Sequence, residues 1–140
     1  MKLKLLKLAR FFHLISKKKY DIKRQIELVR HSTLFDRKWY LKQNPDVAAQ
    51  KKKINAAEHY VKYGWKEGRN PSKEFDGNAH LEEFPELYSK NLCPLFHYMT
   101  LHKELMPKVS VKEIIYNFLN KYSRKYKGKY DDYKLIARSK

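Results

Sequence analysis

The sequence predicts an all-α fold: two degenerate repeats of short helices, flanked by a basic amphipathic N-terminal helix and a C-terminal amphipathic helix. Three observations lead there. Ser32, Phe35, Asp36, Leu41 and Pro45 answer to Ser72, Phe75, Asp76, Leu81 and Pro85 at an offset of 40, and His59-Tyr60 answers to His97-Tyr98 at 38, across a two-residue deletion. A fixed period of this length is the mark of one supersecondary unit used twice. Residues that start helices recur at matching places in both copies, and nothing in the block alternates polar with apolar at the period of two that a strand requires.

Taken in order, residues 1–19 read as a basic amphipathic helix. Leu5, Leu8, Ala9, Phe12 and Ile15 share one face, and Lys4, Lys7, Arg10 and Lys17 lie on the other. Lys7, Arg10 and His13 break the apolar run and no small-residue cleavage site follows, which argues against a secretory signal. Lys4, Leu5, Lys7, Leu8, Arg10, Phe12 and Ile15 are the residues expected to contact a membrane, with the apolar face at the acyl boundary and the cations on anionic headgroups. The competing reading packs this helix on the repeats. Asp21 is expected to cap a second helix that carries Ile22, Ile26, Leu28 and Val29 to Ser32.

Each repeat then reads as three short helices. Asp36 caps Arg37 to Gln43, with Trp39, Tyr40 and Leu41 supplying apolar contacts, and Asn44-Pro45 restarts a helix. Asn55 with Glu58 has capping-box character and opens Ala56 to Tyr63, which Gly64 is expected to close by adopting a left-handed conformation. Pro94, the counterpart of Ala56, supports that boundary. The second copy is degraded: Ala79-His80 replaces Trp39-Tyr40, His102 replaces Gly64, and the loop Gly64 to Ser72 has no counterpart. Phe35, Leu41, Val47 and Tyr60 with Phe75, Leu81, Leu87 and Tyr98 are the expected core.

Beyond Pro107 the capping box Ser110-x-x-Glu113 starts a helix whose Val111, Ile114, Ile115, Phe118, Leu119 and Tyr122 follow helical spacing. The organisation is therefore 1–32, N-terminal helices; 33–105, the repeat block (33–72 and 73–105); and 106–140, a C-terminal helix and basic tail. Leu135, Ile136 and Ser139 match Leu28, Val29 and Ser32, so the tail is expected to begin a further unit of a longer or truncated chain.

The net charge of +17 is unevenly placed. Residues 1–32 carry ten Lys/Arg against two acids, 33–105 twelve against ten, and 106–140 ten against three. An acidic partner is therefore expected to meet the flanks. One cysteine, Cys93, allows no internal disulfide framework, and no apolar run approaches the length of a membrane span. A chain of 140 residues has no room for a nucleotide-sugar transferase fold beside the repeats.

The pattern F-D-x-x-W-Y-L-x-x-N-P-D-V, followed by H-Y-x-x-Y-G-W-K-E-G-R-N-P-S, resembles a helical repeat found beside glycosyltransferase domains of bacterial capsule, O-antigen and rhamnan synthesis proteins. Similar repeats occur in some secreted calcium-binding repeat proteins. The resemblance covers about half of the chain. It implies a non-catalytic module of polysaccharide biosynthesis, acting as a scaffold or membrane-proximal docking element. The implied partners are a glycosyltransferase domain or polysaccharide-synthesis protein and an anionic membrane surface, and the implied location is the cytoplasm, peripheral on the inner membrane. The residues that carry the signature are Phe35, Asp36, Trp39, Tyr40, Leu41, Pro45, His59, Tyr60, Gly64, Trp65, Glu67 and Arg69, with Phe75, Asp76, Leu81, Pro85, His97 and Tyr98 in the second copy.

No set of residues reads as catalytic, and no cofactor or metal is expected. His59 and His97 stand in no zinc-binding pattern, and a role in holding each unit together is preferred to a ligand role. For the loop Trp65 to Ser72, a connector is preferred to a sugar or polyanion contact through Trp65 and Arg69. Asp36, Asp46 and Asp76 lack the dense oxygen spacing of a calcium loop. The alternative reading is a basic nucleic-acid-binding protein that uses its Lys/Arg/Tyr-rich flanks.

Overall fold

The computed structural model describes residues 17–50, 52–110 and 112–114, and the statements below concern these. They are mostly helical. The helices are α1 (Lys17–Arg30), α2 (Arg37–Gln43), α3 (Pro45–Ala49), α4 (Ala56–His59) continuing as a π-helical turn (Tyr60–Gly64), α5 (Gly77–Glu83), α6 (Leu87–Lys90), α7 (Pro94–Leu101) and a 3₁₀ turn (Lys103–Leu105). The only extended pairing among them is a single bridge between Ser72 and Phe75. Two compact units divide the chain: Gln25–Lys108, which holds the repeat block, and a second to which residues 17–24 and the described residues from Val109 belong. In the second, the Ser110 hydroxyl accepts from Glu113 N–H at 3.1 Å, as its capping role requires, and residues 112–114 are helical. The expected membrane-contact residues lie outside the described residues.

Helix α1 runs through Asp21 without a break, so that residue is not the cap of a separate helix. The apolar spacing of Ile22 and Ile26 continues the preceding turn, and an N-cap signal carries no weight where the backbone before it is already helical. Gln25, Ile26, Glu27, Leu28 and Val29 are all buried. Gln25 is satisfied there because its Oε1 accepts from the Cys93 N–H at 3.0 Å.

The helix order from Asp36 is repeated from Asp76. Ser32 Oγ accepts from Leu34 N–H at 3.1 Å and Ser72 Oγ from Glu74 N–H at 3.2 Å. Asp36 then caps α2 through Trp39 N–H, and Asp76 caps α5 through Asn78 and Ala79 N–H. The residues that end these helices, Asn44 and Phe84, have nearly the same backbone angles (φ −125°, ψ 75° and φ −126°, ψ 67°). The third helix opens on Asn55, whose Oδ1 accepts from Glu58 N–H at 2.8 Å, and its counterpart opens on Pro94. The two-residue deletion falls between the second and third helices, where Asn91 takes a left-handed conformation (φ 50°) and turns the chain in less length.

Four expectations are corrected. Asn44 does not cap α3 with its side chain, because its Nδ2 donates to the Tyr40 carbonyl at 2.7 Å and its Oδ1 is held by Arg69. Pro85 does not open α6 as Pro45 opens α3; a turn intervenes and the helix starts at Leu87. Gly64 has no positive φ. The left-handed glycine is Gly68, at φ 77°. Finally, Leu41 and Tyr98 are only half-buried, whereas Phe35, Val47, Tyr60, Phe75, Leu81 and Leu87 belong to the core as expected.

The core position on α2 is Tyr40, at 0% exposure, and one residue on the helix has turned by about 100°, which brings Leu41 to the rim. Leu81 is buried beside His80, a smaller side chain than Tyr40. The two leucines should therefore differ: Leu81→Ala is expected to lower stability by about 2–5 kcal/mol in urea unfolding, and Leu41→Ala by distinctly less.

Candidate functional site

Phe35 and Tyr60, with their counterparts Phe75 and Tyr98, each join the ring at the Tyr40 or His80 position in a cluster. In the first, Phe35, Tyr40 and Tyr60 form a triangle with centroids 5.7, 5.9 and 6.2 Å apart, and Tyr40 meets Tyr60 edge-on at 79°. In the second, Phe75, His80 and Tyr98 form the same triangle at 5.1, 5.7 and 6.0 Å, with His80 edge-on to Tyr98 at 84°. A histidine from the third helix closes each cluster. Tyr40 Oη lies 2.8 Å from His59 Nδ1, and His80 Nε2 lies 2.9 Å from His97 Nδ1.

Burial pushes the Tyr40 phenol well above its usual range, against an opposing pull from the Arg69 guanidinium. It therefore stays a hydroxyl, and donates to His59 whenever that Nδ1 carries no proton. Burial and then the Arg69 charge hold His59 below its ordinary value, with Glu67 and Asp46 opposing. His80 is likewise held down, first by burial and then by His97. These are polar pairs closed on themselves inside an apolar packing, an arrangement suited to positioning helices.

Gly64 belongs to this cluster for a steric reason. A Cβ at that position would overlap the Tyr40 hydroxyl and touch His59 Nδ1. In the second copy His80 stands in the place of Tyr40 and position 102 carries a side chain, whose ring packs at 4.3 Å from Tyr98.

Tyr60 is fully buried and, among the described residues, its hydroxyl meets no oxygen or nitrogen partner. It lies beside the Cys93 thiol, and burial raises the pKa of both groups, that of Cys93 to about 12. Neither group is poised for acid–base or nucleophilic work near neutrality.

The loop after the π turn is a clamp and a connector. Arg69 holds Asp46 in a two-pronged pair at 2.9 and 2.8 Å, Glu67 at 2.8 Å through Nε, and Asn44 Oδ1 at 3.0 Å. The Arg69 hydrogen bond, foremost, keeps the Asp46 carboxyl down at about 2. Four of the five Arg69 N–H donors are thus engaged within the fold, and its bidentate edge is taken by Asp46. Trp65 is 1% exposed, donates from Nε1 to the Val61 carbonyl at 2.7 Å and lies 5.4 Å from the ring of Tyr88 on α6. An indole so covered presents no face to a sugar, which favours the connector reading for Trp65.

Further on, Asn70 Oδ1 accepts from Gly77 N–H and Asn78 Nδ2 donates to the Gly68 carbonyl, both at 3.0 Å, which ties the loop to the start of α5. Asp36 and Asp76 are engaged as caps, and Asp46 by Arg69. No group of three or more potential metal ligands comes together among the described residues. Trp39 is half-buried and Pro45 exposed. His80, Asn44 and Asp46 act at the two sites in roles the sequence did not assign them; the available signal for His80 was its place in the Tyr40 register.

No known protein family, curated protein or solved structure matches the chain. No described helix is long and apolar enough to cross a membrane.

Proposed function

We propose that this chain is a non-catalytic helical repeat module, built from two copies of one unit at 33–72 and 73–105, that serves as a docking element for bacterial surface-polysaccharide glycosyltransferases at the inner face of the membrane. The observation that carries a scaffold over an enzyme is that the signature residues are used up in packing. Tyr40, His59, Tyr60 and Trp65 fill the core or close its polar pairs, and Arg69 has its fork occupied. The resemblance supplies the partner class, a transferase domain or polysaccharide-synthesis protein. The excess charge lies in the flanks, which supports anionic lipid as the surface they meet.

Residues 1–19 hold seven Lys/Arg beside the face of Leu5, Leu8, Phe12 and Ile15. At about 1 kcal/mol for each cation near an anionic surface, with apolar burial added, reversible membrane attachment follows. Co-sedimentation with anionic vesicles but not neutral ones is expected, and Leu8→Ser with Phe12→Ser should abolish it at unchanged charge. Unchanged binding by that variant, or no vesicle binding together with tight, salt-sensitive RNA binding, would transfer the assignment to a nucleic-acid-binding protein, since RNA uses the charge and not the apolar face.

A further inference from the structure

The two copies close the same contact with different chemistry. Where the first pairs a phenol with an imidazole, the second pairs two imidazoles, His80 Nε2 to His97 Nδ1 at 2.9 Å, across α5 and α7. We infer that the His80–His97 pair is an acid-sensitive latch, which releases α7 from α5 on mild acidification while the Tyr40–His59 contact of the first copy stays closed. This stands apart from the docking reading and does not depend on it.

The argument is one of donors and acceptors. A bond between two imidazole nitrogens needs one N–H and one lone pair. The neutral pair satisfies this, and so does the pair with one added proton, as an imidazolium donating to an imidazole. A second added proton leaves N–H facing N–H and two like charges in contact. Tyr40–His59 has no such limit: a protonated His59 turns the bond round and donates to Tyr40 Oη, because a hydroxyl oxygen accepts as well as donates. Burial and the Arg69 charge hold His59 down as well, against Glu67 and Asp46, so the difference between the two copies lies in the hydrogen bond: protonated His59 keeps an acceptor in Tyr40 Oη, and the doubly protonated histidine pair keeps none.

The surroundings of the second pair offer little counter-charge. Phe75, Phe84 and Tyr98 surround it with rings. The charged or titratable groups that act on His80 are His97 and His102, which disfavour a positive charge, and Glu83 on its own helix, which favours one. With the folded-state pKa of His80 depressed below 6.5, the stability that the neutral ring contributes is present above that value and is lost as pH falls through the depressed one.

The test is amide hydrogen exchange on the full chain between pH 7.5 and 5, expressed as protection factors. Protection of Leu95 to Leu101 is expected to fall at least about threefold more than that of Ala56 to Gly64. Loss of protection in both segments together, or in neither, would overturn the inference. His80→Gln and His97→Asn each place a non-titrating hydrogen-bonding atom where the ring nitrogen stood, and each should remove most of the acid-induced loss in α7. Persistence of the full loss in a variant that is folded at pH 7.5 would also overturn it, and the comparison of the two segments in the unaltered chain stands if neither variant folds.

Discussion

Replacing Gly64 by alanine is expected to destabilise the protein by about 1–3 kcal/mol net, although the residue sits in a helical turn where alanine is intrinsically better by about 1 kcal/mol. The expected sign thus runs against propensity. The new methyl group would overlap the Tyr40 hydroxyl and meet Tyr40 Cζ and His59 Nδ1 at 3.4 Å. Tyr40 has no room to retreat, being wholly buried between Phe35 and Tyr60. Relief must come from moving the ring off His59, so an overpacking penalty of about 1–3 kcal/mol is joined by about 0.5–1.5 kcal/mol for the broken hydrogen bond. Urea unfolding measures the total. A double-mutant cycle tests the cause, because Tyr40→Phe removes the oxygen that the methyl group would strike. In the Tyr40→Phe background Gly64→Ala should cost at least about 1 kcal/mol less than in the unaltered chain. An equal penalty in the two backgrounds would mean that the glycine is needed for its backbone and not for the space it leaves.

That glycine also marks where sequence reasoning stops. The helix starts at Asp36, Asn55, Asp76 and Ser110 were legible because a cap is a rule about residues three positions apart, and that at Pro94 because proline suits the first helical turn. The same local rule misled at Asp21, where the question was what the preceding turn was doing, and at Asn44, whose side chain turned to Tyr40 and Arg69 instead of its own helix. The π turn at Tyr60–Gly64 was read as the end of an α-helix, since nothing in five residues announces an i→i+5 hydrogen bond such as Trp65 N–H to the Tyr60 carbonyl. The pairings that define the site span more of the chain: Tyr40 with His59, His80 with His97, Asp46 with Arg69 and Gln25 with Cys93. The repeat register brought the first two within reach, because it placed His80 on Tyr40 and His97 on His59. The Arg69 partner lay outside any register, since the second copy has no matching loop.

Trp65→Ala is expected to have the largest effect of any single truncation in the connector, about 3–5 kcal/mol, a large share of the roughly 5–15 kcal/mol that holds a small domain together. The indole is 1% exposed, its N–H is the donor to the Val61 carbonyl at 2.7 Å, and its ring lies against Tyr88 of α6 under the Lys66 ammonium, 5.4 Å from the ring centre. Truncation would empty the largest fully buried side-chain volume in the described fold and cut a contact between the connector and the second copy at once. A residue serving as a sugar platform would behave in the opposite way, since an exposed ring can be removed with little change in stability. Trp65→Phe separates the contributions: it keeps an aromatic ring near Tyr88 but leaves the Val61 carbonyl without its donor, and should cost distinctly less than alanine. Fluorescence gives an independent reading, because the chain has only two tryptophans and Trp39 is half-exposed. Trp65→Phe should remove the blue-shifted part of the emission and leave the red-shifted part from Trp39. Stability of Trp65→Ala within about 1 kcal/mol of the unaltered protein would show that the loop between Gly64 and Ser72 does not couple the two copies, and the connector reading would fall with it.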